Sequence, residues 1–347
     1  MLQVTDLAFG FTDKPLYSGV NFRISKGQKV GLVGTNGSGK STLLKIIRGV
    51  ETGYTGKVKF EGSIGFVPQE IKHDAVMDSC LTVRDYVDTD NKLSDYDIQK
   101  MFKGLDLSIS LTHDPKTLSG GQKTKLALAR ALFENPDLLM LDEPTNFMDV
   151  GGKAWVMRFL SNYTGAVIVI SHDLKLMDTA IDKILAVTPY NGKIEEYKGN
   201  YSDYLKLKEY KEKNLKKELE IKQRHLKRTE ERYLHSRAVA TKSILRRKVE
   251  RERQLLPEVP QEIRKISIRL PEPKRIGEVP IKTVDVKKSY GDLEVLRGVD
   301  FTILRGEKIA LIGSNGTGKS TFIKILMDVI KPDSGEVRKN KIGRAHV

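Results

Sequence analysis

Residues 34–41 read Gly-Thr-Asn-Gly-Ser-Gly-Lys-Ser, which matches the phosphate-loop pattern Gly-x4-Gly-Lys-Ser/Thr. Residues 29–33 before the loop, Lys-Val-Gly-Leu-Val, predict a buried strand, and residues 42–47 after it predict the start of a helix. Glycines let the backbone wrap around anionic oxygens with its N–H groups pointing inward, and a helix N-terminus adds partial positive charge. This strand–loop–helix setting favours a phosphate site over an ordinary glycine-rich turn.

Two side chains of this loop predict its chemistry. Lys40 can reach the β- and γ-phosphates of a nucleotide, and the hydroxyl of Ser41 can hold Mg²⁺. The loop residues that we expect to contact the nucleotide are Gly34, Asn36, Gly37, Ser38, Gly39, Lys40, Ser41 and Thr42.

A second copy of the loop, Gly-Ser-Asn-Gly-Thr-Gly-Lys-Ser, lies 279 residues further on, at 313–320. The same offset places Phe22 on Phe301 and Gly27 on Gly306, and the match continues to residue 337. An ungapped match of this length predicts a duplicated nucleotide-binding domain. We expect nucleotide contacts from the second copy, with Ser320 as a Mg²⁺ ligand, at Gly313, Asn315, Gly316, Thr317, Gly318, Lys319, Ser320 and Thr321.

The composition bounds the class of protein. A length of 347 residues suits about two domains. The single cysteine, Cys80, excludes an internal disulfide and suits a reducing compartment. The chain begins without a signal-peptide pattern and has no apolar run near the ~20 residues of a membrane helix. We therefore expect a cytoplasmic protein with no membrane segment.

The net charge of +15 is unevenly placed. Residues 200–275 hold 23 Lys and Arg against 12 Asp and Glu. A basic excess confined to one segment predicts a polyanionic partner such as nucleic acid. The alternative is a solvated helical face with mixed charges.

Several residues outside the loops have the right chemistry for a nucleotide site. Phe11 and Tyr290 each lie 23 residues before their loop and could stack on a base, although each could instead be a core aromatic at a strand end. Gln69 ends a strand-like run and could reach Mg²⁺, but a lone Gln is weak support.

The middle of the first repeat adds an anion site and two carboxylates. Residues 118–122 read Leu-Ser-Gly-Gly-Gln and precede a predicted helix at 123–133. The predicted strand at 138–141 ends in Asp142, a candidate Mg²⁺ ligand, and Glu143, a candidate general base. His172 follows the predicted strand at 166–170, where it could contact a γ-phosphate.

The phosphate loop, Gln69, Leu-Ser-Gly-Gly-Gln, Asp-Glu and His172, in this order, resemble an ATP-binding-cassette (ABC) ATPase. The resemblance implies ATP and Mg²⁺ as cofactors and Glu143 and His172 as catalytic residues. It also implies a head-to-tail pair of cassettes, in which each ATP lies between the phosphate loop of one and the signature of the other. The signature residues expected at ATP are Ser119, Gly120, Gly121 and Gln122.

The segment between the repeats predicts long helices. Residues 201–256 contain no Pro or Gly and are rich in Lys, Glu, Arg and Leu. Glu209 and Lys213, and also Glu218 and Lys222, have the i,i+4 spacing of ion pairs on an exposed helix face. Because the chain must return to a second domain, we expect a helical hairpin with its turn near 235–242, ended by Pro257 and Pro260.

Two phosphate loops, a basic linker and no membrane segment resemble the ABC-F family of soluble tandem-cassette ATPases. The resemblance implies a ribosome-associated factor, either a translation factor or an antibiotic-resistance protein that protects ribosomes. The linker at 200–275 would reach toward tRNA and rRNA, and the two cassettes would pair with each other in the full-length protein.

The predicted fold class is α/β: a P-loop ABC domain, a long α-helical hairpin linker and the start of a second P-loop cassette. We expect these parts at 1–198, 199–275 and 276–341, and a tail foreign to the protein at 342–347. The second repeat stops before a signature or an Asp-Glu pair, so we expect a C-terminally truncated chain that binds ATP but turns it over poorly.

Two other functions remain open on the sequence. One is the ATPase subunit of an ABC transporter, which docks on separate membrane subunits. The other is a non-enzymatic RNA-binding module gated by nucleotide. The long basic linker favours the ribosome-associated factor over the transporter subunit.

Overall fold

The structure is a computed structural model. It describes residues 1–11, 14–69, 71, 74–146, 148–188, 192–235, 239–254, 278–291, 293–313 and 316–339. The chain divides into two compact units, Met1–Glu262 and Ile263–Val347. Asn315, Pro257, Pro260 and the predicted tail at 342–347 lie outside the described residues.

The first unit alternates strands and helices. Its strands are β1 (Leu2–Phe11), β2 (Lys14–Ile24), β3 (Lys29–Val33), β4 (Thr55–Phe60), β5 (Ile64–Val67), β6 (Leu138–Asp142), β7 (Ala166–Ile170), β8 (Lys183–Thr188) and β9 (Lys193–Lys198). Its helices are α1 (Lys40–Ile47), α2 (Ala75–Ser79), α3 (Val83–Val87), α4 (Asp95–Gly104), α5 (Gly120–Glu134), α6 (Val150–Asn162), α7 (Leu174–Thr179), α8 (Tyr201–His235) and α9 (Val239–Gln254), with a 3₁₀ turn at Pro115–Thr117.

A six-stranded sheet in the order β5-β6-β7-β3-β8-β9 forms the centre of this unit. Strand β3 lies between β7 and β8 and pairs with both in parallel, and only β9 runs antiparallel to its neighbour. A separate antiparallel sheet has the order β2-β1-β4. The predicted strands at 29–33, 138–141 and 166–170 and the predicted helices at 42–47 and 123–133 are confirmed.

Each face of the large sheet packs against its own core. In β6, Leu138 and Met140 join a core shared with α1 and the antiparallel sheet, whereas Leu139 and Leu141 join a core shared with α5, α6 and α7. Strands covered on both faces read as continuous apolar runs rather than alternating ones. Polar side chains are therefore excluded from the strand interiors and collect at the strand ends.

Helices α8 and α9 form the predicted linker structure. Lys213 pairs with Glu209 and Lys222 with Glu218, each with an N–O distance of 2.7 Å, as the spacing predicted. Arg253 of α9 pairs with Glu230 of α8 at 2.7 Å, so α9 returns along α8. Helix α8 ends at His235 and α9 begins at Val239, and the residues between them, where the turn was predicted, lie outside the described residues.

The start of α8 is joined to α7 by one carboxylate. The backbone N–H and the hydroxyl of Ser202 both donate to Asp178 on α7, at 2.7 and 2.9 Å. Within the part of the chain that the structure describes, we find no helix with the length and hydropathy to cross a membrane.

The second unit repeats the antiparallel sheet and the first helix. Its elements are β10 (Ile281–Tyr290), β11 (Leu293–Ile303), α10 (Lys319–Leu326) and β12 (Ser334–Lys339), and its sheet order is β11-β10-β12. The repetition extends to a bulge: Asp6 N–H donates to Asn21 and Asp285 N–H donates to Asp300, both at 2.9 Å. Asp6 and Asp285 both have positive φ, 49° and 46°.

The repeat departs from the first unit at 308–312, the counterpart of β3. These residues form no strand and are exposed. Ile312 is 91% exposed, whereas Val33 at the same place in the first repeat is 9% exposed. The reason is pairing: β3 is held by β7 and β8, and among residues 278–291, 293–313 and 316–339 no strand lies beside 308–312.

This difference predicts unequal backbone protection in the two repeats. Amide hydrogen exchange, followed by mass spectrometry of peptic fragments, should be slow for residues 29–33, whose N–H groups are paired on both sides of β3. Exchange should be fast for residues 308–312, which have no ladder partner among the described residues. Equal protection of the two segments would contradict the structure.

Candidate active site

A pocket of about 500 Å³ opens at the carboxyl ends of β3, β6 and β7. In sheets of this type, ligands bind beyond the carboxyl ends of parallel strands. The pocket brings together most of the residues predicted for the first nucleotide site. Its lining is Phe11, Leu16, Asn36, Gly37, Gly39, Lys40, Ser41, Thr42, Gln69, Asp142, Glu143, Asn146, Ile170 and His172.

The phosphate loop presents a cation and open N–H groups. The Nζ of Lys40 donates to the carbonyls of Gly34 and Thr35, at 2.9 and 3.0 Å, and so is held over the loop. Helix α1 begins at Lys40 without a side-chain cap, because its N-cap is Gly39 with φ of 99°. The N–H groups of its first turn are thus left for a ligand, and the helix dipole favours an anion there.

Ser41 and Asp142 make the predicted metal-binding pair. The Ser41 hydroxyl donates to Oδ2 of Asp142 at 2.9 Å, which joins α1 to the end of β6. Burial raises the pKa of Asp142, against the opposing effects of Ser41 and Lys40. A hydroxyl, a carboxylate and the amide of Gln69 in one pocket are hard oxygen donors, and Mg²⁺ typically binds one or two carboxylates together with substrate phosphates. The residues fit this ion.

Glu143 lies beside His172 at the ends of neighbouring strands. Its Oε2 accepts the backbone N–H of His172 at 3.2 Å, and its Oε1 is 3.5 Å from Nε2 of the same residue. Burial raises the pKa of Glu143, although the His172 contacts lower it. The backbone of Glu143 has φ of 53°, a left-handed conformation that non-glycine residues adopt at a cost, often at functional sites. This geometry suits a base held toward the pocket.

The two predicted base-stacking residues are both exposed. Phe11 is 60% exposed at the edge of the pocket and packs edge-to-face on Phe9, with 5.0 Å between ring centroids. Tyr290, in the second unit, is 50% exposed. Neither is a core aromatic, so the exposed fractions favour the stacking role over the alternative.

The signature residues do not line the pocket. Ser119 caps α5 in a reciprocal arrangement with Gln122, and the position of a Cβ on Gly120 meets no atom within 4 Å. Ser119 and Gly120, at the start of α5, are therefore exposed at the surface outside this pocket.

Two residues of the phosphate loop, Gly34 and Ser38, also do not line the pocket. The side chain of Ser38 is buried, and the carbonyl of Gly34 accepts a hydrogen bond from Lys40.

The second loop repeats part of the first. Lys319 Nζ donates to the Gly313 carbonyl at 2.8 Å, as Lys40 does to Gly34. Helix α10 begins at Lys319 after the left-handed Gly318, with Ser320 and Thr321 in its first turn. Gly316 and Thr317 are described beside it, whereas Asn315 is not.

Three pocket residues were not among the predicted site residues. Leu16 comes from β2 and Ile170 ends β7, and neither belongs to a phosphate-binding motif. Asn146 follows Glu143 closely and could have been found from that position, since polar residues just after a strand end share its edge of the sheet.

Comparison with known proteins agrees with this geometry. A family described as "ABC transporter" matches residues 17–146 and 296–345, and a second family with the same description matches residues 189–268. The chain is 30% identical to the uncharacterized ABC transporter ATP-binding protein YfmM of Bacillus subtilis, over 98% of this chain and 74% of that protein.

Two further relatives have names that refer to translation. The chain is 31% identical to the energy-dependent translational throttle protein EttA of Haemophilus influenzae, over 90% of this chain and 63% of EttA. It is 29% identical to the ribosome protection protein VmlR of Bacillus subtilis, over 94% of this chain and 61% of VmlR. The chain thus spans less than two thirds of the length of these two curated relatives.

Glycine substitutions should separate backbone strain from steric conflict in the loop. Gly39→Ala should be the most harmful, because φ is 99° and a Cβ would lie 2.6 Å from the Tyr17 hydroxyl. Gly37→Ala should cost about 1–2 kcal/mol from its left-handed backbone alone, since nothing lies within 4 Å.

The matched control is Gly120→Ala, where the Cβ position is open and lies in a helix. Its free energy of unfolding should change by less than about 0.5 kcal/mol. Urea unfolding of the three variants measures the ranking. A Gly37→Ala variant less stable than Gly39→Ala would contradict the close packing of Leu16 and Tyr17 against Gly39.

Proposed function

Because this chain belongs to the ABC-F family of ATP-binding-cassette ATPases, we propose that the pocket beside Lys40 binds and hydrolyses ATP. The observation that supports this most strongly is the meeting of the phosphate loop, Gln69, Asp142, Glu143 and His172 in one pocket. These residues come from segments far apart in the sequence, and each has the chemistry that one part of the reaction requires.

Each residue has a proposed role. Lys40 and the N–H groups of the first turn of α1 take the charge of the β- and γ-phosphates. Ser41, Asp142 and Gln69 hold Mg²⁺, which neutralises phosphate charge when bound. Glu143 accepts the proton of the attacking water, and His172 contacts the γ-phosphate. Phe11 stacks on the adenine ring.

We further propose that 276–341 begins a second cassette and that the cassettes pair head to tail. In this arrangement Ser119, Gly120, Gly121 and Gln122 contact an ATP held on the loop of the facing cassette. The surroundings of Gly120 support this role, because its Cβ position has no atom within 4 Å and the first N–H groups of a helix favour an anion. The second site uses Tyr290, Lys319 and Ser320.

The proposed partner is the ribosome, contacted through the linker at 200–275. Two relatives carry names that refer to translation and ribosome protection. Part of the positive charge on α8 is neutralised by i,i+4 pairs such as Lys213–Glu209, but the segment retains 23 basic against 12 acidic residues. Such an excess in one segment suits an RNA surface, in the cytoplasm.

The second candidate is the ATPase subunit of an ABC transporter. It is favoured by the name of the relative YfmM. It predicts association with membrane proteins rather than with ribosomes. The ribosome co-sedimentation experiment described below therefore separates the two functions.

The raised pKa of Glu143 predicts an acid limb in ATP hydrolysis. A general base must be ionised, and burial raises the pKa of Glu143 above its ordinary 4.5. As pH falls through the raised pKa, the single-turnover rate should fall about tenfold per pH unit, beginning above pH 4.5. Glu143→Gln should lower the rate by about 10²–10⁴ while ATP still binds. A rate that stays flat down to the ordinary pKa would contradict the assignment.

Ribosome binding should depend on ATP and on the linker charge. In the full-length protein, Glu143→Gln with ATP should co-sediment with ribosomes, because ATP is bound but not consumed. Adding Arg247→Glu and Arg251→Glu, at two exposed positions of α9, should weaken binding. The slope of its salt dependence should fall by about one for every phosphate that the variant no longer neutralises.

The control for this experiment is Lys57→Glu with Lys59→Glu, an equal change of charge at exposed positions on β4. It should leave ribosome binding nearly unchanged. The proposal fails if the Glu143→Gln protein stays in the ribosome-free fraction under ATP. Equal losses of binding in both charge variants would show a non-specific effect of net charge. That result would contradict the proposed contact between the linker and the ribosome.

A further inference from the structure

A tyrosine of β2 touches the phosphate loop from within the core. The side chain of Tyr17 is 1% exposed, and its hydroxyl donates to the carbonyl of Gly39 at 2.5 Å. Gly39 immediately precedes Lys40 and is the N-cap of α1. No phosphate-binding motif includes Tyr17, and it does not line the pocket, although its neighbour Leu16 does.

The Gly39 carbonyl is held by two donors at once. Besides the Tyr17 hydroxyl, it accepts the backbone N–H of Leu43 at 2.9 Å, the first helical bond of α1. A carbonyl oxygen has two lone pairs, so both are used. This peptide unit therefore has less freedom to rotate than one held by the helical bond alone.

The orientation of this carbonyl determines where a phosphate donor points. In a planar trans peptide the C=O and the following N–H point in opposite directions. The N–H that follows Gly39 belongs to Lys40, the first residue of α1, and the first N–H groups of a helix have no partner within it. The Gly39 carbonyl points toward Tyr17 and Leu43. The Lys40 N–H of the same peptide is therefore held in the opposite direction, out of the N-terminal end of α1.

The contact is tight and remains a donor contact over the physiological range. A Cβ added to Gly39 would lie 2.6 Å from the Tyr17 hydroxyl, so ring and loop are closely packed. Burial raises the pKa of Tyr17 above its ordinary value, so the hydroxyl keeps its proton.

The second loop lacks this donor. The residue that corresponds to Tyr17 is Leu296, which is 6% exposed and packs below Gly318. The Gly318 carbonyl accepts the N–H of Phe322 at 2.8 Å, as Gly39 accepts that of Leu43, but a leucine side chain cannot add a second hydrogen bond. The two loops therefore share a sequence pattern and differ in what holds the peptide before the lysine.

We propose that Tyr17 is a positioning residue, which holds the N–H of Lys40 on the phosphates of a nucleotide bound at the first loop and makes this loop a tighter phosphate site than the second. The proposal rests on the proposed binding of ATP at the first loop. Tyr17 itself does not touch the nucleotide and acts through the Gly39 peptide.

The test compares two tyrosines that make the same kind of bond. Tyr17→Phe removes the bond to Gly39. Tyr163→Phe, the matched control, removes a bond from a buried hydroxyl to the carbonyl of Pro136, also 2.5 Å and away from the pocket. Both variants are measured with Lys319→Ala, which silences the second loop, by calorimetric titration with Mg-ATP and by competition with pyrophosphate.

Tyr17→Phe should raise the Kd for ATP about three- to tenfold, the loss that one hydrogen bond gives. The Kd for pyrophosphate should rise by the same factor, because the affected contact is to phosphate. Tyr163→Phe should leave both constants within about twofold, even where the two variants lower the melting temperature equally. Equal ATP and pyrophosphate constants for the two variants would overturn the proposal.

A second measurement keeps the proposal testable if Tyr17→Phe does not fold. Trifluorotyrosine placed at position 17 keeps the ring and the hydroxyl but lowers the phenol pKa. The ¹⁹F resonance of this residue shows the pH range in which the phenol ionises. ATP affinity should fall over that same range, while the unmodified protein shows no such fall. An ATP affinity that stays constant while the ¹⁹F resonance titrates would overturn the proposal. If Lys40→Ala leaves the ATP Kd unchanged, the ATP site itself is wrong and both proposals fall together.

Discussion

The position of β3 between β7 and β8 is the constraint on which the candidate site depends. Its residues are buried on both faces of the sheet, so the chain can place polar groups only where a strand ends. The phosphate loop follows β3, Asp142 ends β6, and His172 follows β7. Parallel pairing aligns the three strand ends, and the side chains meet without any direct sequence relation between them.

The charges at this edge are only partly balanced by the protein. Asp142 and Glu143 are both largely buried, and burial raises the pKa of each, while burial lowers the pKa of Lys40. Opposite shifts of this kind are common where a site is arranged for charged ligands. In the proposed ATP site, a triphosphate and its metal ion would add an anion beside Lys40 and a cation beside the two carboxylates.

The same edge is connected to the linker through short contacts. Asp173, next to His172, caps α7, and Lys153 of α6 pairs with it at 2.9 Å. At the other end of α7, Asp178 accepts two hydrogen bonds from Ser202 at the start of α8. A helix of six residues therefore separates the histidine of the site from the base of the basic helices.

Much of this arrangement was accessible from the sequence, and the exceptions have physical reasons. The phosphate loop, the apolar strands and the Glu–Lys pairs of α8 follow from local pattern. The exposure of residues 308–312 does not, because Lys-Ile-Ala-Leu-Ile resembles Lys-Val-Gly-Leu-Val of β3 and differs in its neighbours rather than its composition. Tyr17 was missed for a related reason. Its proposed role depends on its contact with the Gly39 carbonyl, and the sequence pattern does not distinguish it from any other buried aromatic in a strand.

The pairing of β3 also bears on how the chain is made. Val30 pairs with Ile168 and with Lys183, which follow it after most of the first unit has been translated. Contacts between such distant segments cannot form until the later one has emerged, and they slow folding because a long loop must close first. A nascent chain thus carries its nucleotide loop on an unpaired apolar strand for much of its synthesis.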